Sequence, residues 1–525
     1  MSVHDALESL VRDARERLGR TQEGKTVVTV QVSHCSKSVG AGEVAEALAA
    51  ALPNDSPMVT AGCDGACFDA PQVLVTTASG ERHRYVRVSP ESARDIAAQV
   101  ASGPLSEAAQ TNGFHSGQRR ITLDGCGELD CEVIDSYLDH GGYLGLAKAL
   151  AMTPEELIEE VKESGLRGRG GAYFPAALKW QGARSVKVEP RYLVVNSEEG
   201  EPGVFKDRHL MEGVPHRLLE GAIIAAYASG VERAYIYINA EANLSADRMR
   251  KAVEEAYEHG LLGENILASG YSLEVEIMRG AGGYVCGEET TLLNTMEGYR
   301  REPRLRPPFP TEQGLWAKPT VINNAETLCS LPYILANGAK AYSEVGTDDA
   351  TGTKIISLSG SVKRPGVAEV PMGTTLRQII HEIGGGLPDG RELAAVAVGG
   401  PSSGIFPPSE LDTPIKPGFL HESGVMLGAG GVIVLDDRTG VLDSIRELAD
   451  YNAKESCGKC TPCREGTPRM VDLLDRVLSG EGTASRLEEL RELAQVVNAA
   501  SLCGLGQAAG NPILSALHFF GDEFS

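Results

Sequence analysis

The stretch ESCGKCTPCREG, residues 455–466, carries Cys457, Cys460 and Cys463, each separated from the next by two residues. A CxxCxxC run folds back on itself, aims its sulfurs at one point and exposes backbone N–H groups that can hydrogen-bond to cluster sulfides. Such sites normally take four thiolates, and the fourth candidate is Cys503 in SLCGLG, at the end of the helical stretch RLEELRELAQVVNAA. The C-terminal segment must therefore fold so that a tight loop meets a remote helix end. Four thiolates suit a [4Fe–4S] cluster or a structural zinc, and core cysteines without metal are the bland reading. Zinc usually comes as two CxxC pairs, whereas three close cysteines plus one remote are the usual arrangement of the cubane cluster. A cluster held only by cysteine has no open position for substrate, so its task is to carry single electrons. Something else in the chain must supply or accept them.

At 525 residues the chain exceeds one core and suggests about three or four domains. A formal charge of −23 argues against nucleic acid as a partner. No apolar run approaches the roughly 20 residues that span a bilayer, so a soluble protein without membrane insertion is expected. The opening MSVHDALESLVRDARERLG is an amphipathic helix, with Leu7, Leu10, Val11, Ala14 and Leu18 on one face, and not a secretion signal. Eleven cysteines, mostly clustered at short spacing, point to metal-bound thiols in a reducing compartment, with the cytoplasm expected.

Residues 25–100 read as a small α/β unit: strands in KTVVTVQV, QVLVTT and RHRYVRV, and helices in AGEVAEALAAAL and PESARDIAAQV. The polar ASGPLSEAAQTNGFHSGQ reads as a linker. A larger α/β segment follows. Its first helix is announced by TPEELIEEV, with Thr153 as N-cap, Pro154 at the first helical position and Glu156 completing a capping box. Strands RYLVVN, AYIYIN and LEVEIM alternate with helices such as HRLLEGAIIAAYA, the pattern of a parallel sheet covered by helices. From about 350 to 435, KIISLSGSVKRPGVAEV and the helix TTLRQIIHEIGG suggest a small β-grasp unit, and the remainder reads as helical.

The loop SGLRGRGGAYFPAALKW carries Gly165, Gly168, Gly170 and Gly171, with Arg167, Arg169 and Lys179 adding positive charge. Glycine lets backbone N–H groups approach a phosphate closely, although a flexible or tight turn explains such a loop equally well. It does not match the Rossmann fingerprint, because its glycines follow a helix and lack the GxGxxG spacing. NSEEGEPGVFKDR and RGAGGYVCGEETTLL each begin where an expected strand ends, at the ligand-binding edge of an α/β sheet. Their carboxylates can accept hydrogen bonds from a ribityl chain, a flavin ring or a nicotinamide ribose; any one of them could equally be a solvated loop charge.

Together GLRGRGGAYFP, NSEEGEPG, GGYVCGEET, PPFP with GLWAKPTVINN, and ESCGKCTPCREG with SLCGLG resemble, in order over about residues 115–520, the NADH-binding flavoprotein subunit of complex I. Relatives of that subunit serve NAD-dependent formate dehydrogenases and soluble hydrogenases. The resemblance implies a multidomain α/β protein: a Rossmann-like FMN and NAD domain over 115–345, a ubiquitin-like β-grasp domain of SLBB type over 350–436, and a helical bundle holding a [4Fe–4S] cluster over 437–525. These are preceded by an N-terminal unit over 1–105 that bears its own resemblance to a thioredoxin-like domain. Residue by residue, it implies that Gly168, Arg169, Gly170, Gly171 and Lys179 cradle the FMN phosphate and ribityl chain. Asn196, Glu198, Glu199, Gly287, Glu288, Asn323 and Asn324 would hold the flavin. Phe174 and Phe309 would stack on the adenine of NAD(H), Glu201, Glu289 and Arg306 would bind its ribose and phosphates, and Tyr284 would line the nicotinamide pocket. Singly, Phe174, Phe309 and Tyr284 could be packing residues. The family usually has Asp at Glu198, Gly at Tyr173, Lys at Arg306 and often an aromatic at Gly182.

The N-terminal unit resembles the thioredoxin-like [2Fe–2S] domain of some bifurcating hydrogenase subunits, whose ligands read C-x₄-C and C-x₃-C. Cys35, Cys63 and Cys67 fill three positions and Gly40 stands at the fourth. The unit is read as a degenerate docking domain, with ligation by serine or His34 as the alternative. Cys126, Cys131 and Cys329 fall in no pattern and are taken as structural.

The expected chemistry belongs to the cofactors: hydride exchange between NAD(H) and FMN, then single electrons through the cluster to partner subunits. No residue need act as acid or base. The expected partners are a small thioredoxin-like [2Fe–2S] subunit and a larger catalytic or cluster-bearing subunit. The close end after Cys503 lacks the appended ferredoxin-type clusters of many bifurcating hydrogenase subunits, and the N-terminal extension argues against a plain complex I subunit. Together they favour the diaphorase subunit of a formate dehydrogenase, with that of a hydrogenase or another NAD-linked complex as the alternative. The non-enzyme alternative is a zinc-stabilised scaffold.

Overall fold

The computed structural model describes residues 2–106 and 113–524. Three sheets organise the chain. The first holds β1 (Val27–Gln31), β2 (Met58–Ala61), β3 (Val73–Thr76) and β4 (Arg82–Tyr85) in the order β2-β1-β3-β4. Only β1 and β2 are parallel; β3 and β4 continue antiparallel. Valines alternate inward along these strands, and Val28, Val30, Val73 and Val75 form one core with Leu48, Ile96 and Ala97 from the helices Ala41–Ala51 and Pro90–Ser102.

The amphipathic helix Val3–Gln22 does not cover this sheet. Its inner residues Ala6, Leu7 and Ala14 join the core of the second unit, and Arg15 and Arg17 pair with Asp139 and Asp135 at 2.8 and 2.7 Å. The expected 1–105 unit thus lends its first helix to its neighbour. Of the expected linker, residues 107–112 lie outside the described residues. Beyond them the chain is packed: Phe114 is fully buried in the core of the third sheet and its ring meets Phe68 edge-on at 5.4 Å.

The second sheet is the parallel one expected. It contains β5 (Tyr192–Ser197), β6 (Arg233–Ile238), β7 (Glu274–Arg279) and β8 (Thr320–Asn324) in the order β7-β6-β5-β8, all parallel. The helix Pro215–Ser229 is buried almost throughout, which explains its unbroken apolar run. Thr153 caps the helix Pro154–Glu163 through the capping box read from the sequence. Strand β8, inside PTVINN, is a short apolar run that no periodicity announced.

After a two-residue pair of strands, β9 (Gly346–Thr347) and β10 (Ala350–Thr351), the third sheet runs through β11 (Thr353–Gly360), β12 (Gly366–Pro371), β13 (Leu393–Val398), β14 (Gly404–Phe406) and β15 (Gly431–Asp436), ordered β12-β11-β15-β13-β14. The turn after β12 departs from the expected helix, because Gln378–Ile383 winds as a π-helix whose Ile379 carbonyl accepts from Gly384 N–H at 2.9 Å. Long helices, among them Val441–Glu455, Thr461–Arg476 and Ala484–Ala500, close the chain and share one core with β13 and β14.

One buried carboxylate ties residues 121–123 to this sheet. Glu369 on β12 accepts from the backbone N–H groups of Ile121, Thr122 and Leu123 at 2.9–3.0 Å and from the Thr353 hydroxyl. Replacing it leaves three buried donors unpaired. Glu369→Ala should cost on the order of 3–5 kcal/mol, visible as a lowered Tm, and Glu369→Gln should recover part of the loss because its carbonyl oxygen still accepts.

Candidate functional site

Because β5 to β8 run parallel, their C-terminal ends share one edge, the ligand-binding edge of an open α/β sheet. The loop after the helix Pro154–Glu163 rests on this edge. It is closed by a 2.9 Å hydrogen bond from Gly168 N–H to the Phe174 carbonyl, and Arg169 N–H donates to Thr327 Oγ1 at 2.8 Å. A Cβ on Gly170 would lie 3.0 Å from the Asn324 side chain, so the absence of a side chain lets the loop backbone settle on the end of β8.

From Asn324 the contacts run on. Asn324 donates to the Asn196 carbonyl at 3.2 Å, and Asn196 donates to the Gly287 carbonyl at 2.9 Å. Glu198 lies against Gly280 and Gly287. It is fully buried, its Oε2 has no hydrogen-bond partner, and burial pushes its carboxyl up to about 8. Glu288 caps the helix Glu289–Met296 by accepting from Thr290 and Thr291 N–H at 3.0 and 2.8 Å. Lys179 donates to the Ile322 carbonyl at 3.0 Å and pairs with Glu289 at 3.4 Å, and Arg306 reaches Glu289 at 2.8 Å. At the outer side Phe174 and Phe309 are 52% and 51% exposed, unusual for phenylalanine. The segments that follow them adjoin, since a Cβ on Gly182 would lie 3.8 Å from Thr311.

Four expected ligands point elsewhere. The Arg169 guanidinium is buried and donates to Tyr342 Oη at 3.2 Å and the Thr351 carbonyl at 2.7 Å, so it braces the glycine loop from behind. Asn323 alternates to the opposite face from Asn324 and accepts from Trp180 Nε1 at 2.9 Å. Glu199 accepts from Asp207 and Arg208 N–H at 2.5 and 2.9 Å, and burial raises it to about 7. Glu201 is pressed against Gly400 of the third unit and raised by burial to about 8. A motif places such residues on the loop, but only packing decides which way each one turns.

Tyr284 bridges two units. Its hydroxyl meets Ser402 Oγ at 2.5 Å and its ring meets Tyr451 edge-on at 5.7 Å. Tyr173 holds φ at +52°. Its buried hydroxyl donates to the Gly428 carbonyl at 3.0 Å, a tether that offsets the strain of that backbone region.

Sequence reading missed the ionic group beneath this edge. Lys206 and Lys354 are fully buried, and Glu326 pairs with them at 3.0 and 2.5 Å; Lys206 also meets Asp207 at 2.6 Å and Asn324 Oδ1 at 3.1 Å. Burial opposes the Lys206 charge, yet Asp207, Glu326 and Glu199 hold its pKa above the ordinary lysine value. The KDR within NSEEGEPGVFKDR was the available signal, and only the fold reveals its partner Glu326.

The four expected cluster ligands converge. Cys463 and Cys503 are buried with Val285 and Leu505, and Cys457, Cys460 and Tyr284 pack against them. Leu505 and Gly506 N–H groups point at the Cys503 sulfur, while burial pushes that thiol up to about 11. Among the described residues no three His, Cys, Asp or Glu side chains are arranged around a single metal ion. Four cysteines gathered in one largely apolar pocket are the donor set that an all-thiolate cluster takes. The cysteines of the first unit lie apart from this relay.

Comparison with known proteins matches these parts. Residues 161–333 match the Nuo51 FMN-binding domain, 443–525 the NADH-ubiquinone oxidoreductase-F iron-sulfur binding region, and 355–406 the SLBB domain. The chain is 46% identical over 407 residues to HndC, a subunit of the NADP-reducing hydrogenase of Solidesulfovibrio fructosivorans, covering 78% of this chain and 83% of that protein. It is 46% identical over 396 residues to a subunit of an NADH-quinone oxidoreductase of Rhizobium meliloti, covering 75% and 94%. A solved NAD+-reducing [NiFe]-hydrogenase in the H2-reduced state superposes with a TM-score of 0.68 at 28% identity, covering 98% of this chain and 87% of that one. The chain therefore belongs to the family of complex I 51 kDa-type, NADH-binding subunits that carry FMN and a [4Fe–4S] cluster in multisubunit oxidoreductases.

Proposed function

We propose that this chain is the module where NAD(H) exchanges a hydride with FMN and from which single electrons leave through the cysteine-bound cluster to partner subunits. One observation carries this reading: the loop Gly280–Glu288 touches the strand-end cradle through Glu198 and Asn196, and the cysteine pocket through Tyr284 and Val285. FMN, when bound, converts the two-electron chemistry of NAD(H) into single-electron steps. The residues fit such a group: a glycine loop that approaches Asn324 without a side chain, the lysine Lys179 beside it, and an orphaned carboxylate oxygen on Glu198.

Within this reading the backbone of Gly168–Gly171 and Lys179 receive the phosphate, while Arg169 acts through its bonds to Tyr342 and Thr351. Asn196, Glu198, Gly287, Glu288 and Asn324 face the flavin. Phe174 and Phe309 offer exposed rings for adenine, and Glu289 with Arg306 offers hydrogen bonds to ribose and phosphate. Asn323, Glu199 and Glu201 support the walls. Water is kept from the electron path by the apolar contacts of Val285 and Leu505 around the sulfurs.

The formate expectation rested on the close end after Cys503, set against hydrogenase, and on the N-terminal extension, set against a plain complex I subunit. A solved NAD+-reducing hydrogenase chain covers 98% of this chain, so that extension does not discriminate formate from hydrogen. The proposed partners are a small thioredoxin-like [2Fe–2S] subunit and a larger catalytic subunit, and the proposed setting is the cytoplasm; among the described residues no helix is long and apolar enough to cross a membrane. We retain formate as the proposed donor and hydrogen as its rival. Anaerobic reduction of NAD+ by the purified complex, with formate or with hydrogen, decides between them.

Phe174→Ala should raise the KM for NADH about tenfold, the loss of one stacking contact of about 1.4 kcal/mol, with FMN content unchanged. Unchanged steady-state kinetics would remove Phe174 from the nucleotide site. Cys503→Ser should preserve NADH-dependent bleaching of the flavin absorbance while reduction of the partner subunits falls to background. If electrons still reach the partners, Cys503 is not the fourth ligand.

A further inference from the structure

Cys463 is one of the two buried sulfurs of the cysteine pocket, and a side chain reaches it: Ser456 Oγ lies 3.2 Å from Cys463 Sγ. Ser456 follows the helix Val441–Glu455 as its C-terminal cap and stands directly before the CxxCxxC run, outside the ligand set. Its oxygen also accepts from Gly458 N–H at 3.4 Å, across the first turn of the loop, where Gly458 holds φ at +78°. A cluster-bound sulfur is a thiolate and has no proton to give, so the proton between the two atoms belongs to the hydroxyl. Ser456 therefore accepts from the loop backbone and donates to the sulfur.

The loop is held in this shape from outside. Arg300 Nη2 donates to the Cys457 carbonyl at 3.3 Å, and Arg464 Nη1 donates to the Gly458 carbonyl at 2.9 Å. A Cβ on Gly458 would lie 3.8 Å from Arg464 Cδ and 3.9 Å from Arg300 Nη2, so both arginines rest on the same turn. On the inner side the turn after Cys503 closes in, with a Cβ on Gly506 only 3.1 Å from Cys463 Cβ. Cys457 and Cys460 are half-buried, whereas Cys463 is packed with Val285 and Leu505. A hydrogen bond to a sulfur in that apolar setting is screened less than one at the surface.

We infer that Ser456 is a positioning residue for electron exit: through its hydrogen bond to Cys463 it raises the reduction potential of the cluster that the four cysteines hold. The inference rests on the flavin and cluster reading above. One-electron reduction adds negative charge that the thiolate sulfurs share. A donor on one of those sulfurs stabilises the reduced form more than the oxidised form, which raises the potential. Ser456→Ala removes the donor and leaves all four thiolates in place, so the potential falls. Ser456→Thr keeps a hydroxyl on the same β-carbon.

The test uses the purified complex as wild type, Ser456→Ala and Ser456→Thr. Iron, acid-labile sulfide and FMN are assayed in each, and the cluster is titrated against a poised potential with its EPR signal as the readout. Cofactor contents should be equal in all three. At any one potential, Ser456→Ala should show an about tenfold lower ratio of reduced to oxidised cluster, a shift of about 59 mV to the negative for a one-electron couple. Ser456→Thr should titrate with the wild type. The inference is overturned if a fully loaded Ser456→Ala titrates with the wild type, if Ser456→Thr follows the alanine variant, or if either variant loses iron, which would make Ser456 a structural prop. A wild-type chain free of iron and sulfide would overturn the cluster reading itself, an outcome distinct from these.

Discussion

Two buried lysines fix the architecture around the site. Lys206 and Lys354 lie wholly inside the protein and are tolerable there because Glu326 pairs with both and Asp207 with the first. Removing one partner from such a group leaves an uncompensated buried charge, at a cost of about 3–5 kcal/mol. The members come from the helix after β5, the helix after β8 and strand β11, so one electrostatic knot holds the parallel sheet, its ligand-binding edge and the third sheet in register. Ile355 N–H also donates to Glu326 at 2.8 Å, which ties the backbone of β11 into the knot. The edge residues Asn324 and Asn196 inherit their positions from it.

Above this knot the third unit works as a wall. Tyr173, Glu201 and Tyr284 each reach it, through Gly428, Gly400 and Ser402 respectively. All three sit within the cradle motifs themselves. The wall therefore contributes little to binding by itself and much to the orientation of residues that do.

How much of this was legible depends on what carried the information. Residues that act through spacing were readable: the CxxCxxC loop converges with Cys503, Thr153 forms its capping box, and the glycine loop meets the end of β8. Residues that act through side-chain direction were not. Arg169 looked like a phosphate ligand and braces the loop from behind, and Asn323 follows strand alternation to the far face from Asn324. Lys354 and Glu369 lie in strands read as ordinary β pattern, and their partners Glu326 and residues 121–123 are distant in sequence, so no local pattern could announce them. The first helix was correctly read as amphipathic, but amphipathicity does not say which core receives the apolar face.

The loop Gly280–Glu288 is pinned on every side: Tyr284 N–H to Glu455, the Tyr284 hydroxyl to Ser402, and the Gly287 carbonyl to Asn196. Those anchors belong to three different units of the chain. A recombinant that borrowed the helical end from one homologue and the parallel sheet from another would break this loop at its seams even if both halves folded. Exchange between such proteins is therefore expected to succeed for the whole span from the glycine loop to the last cysteine, inherited as one piece.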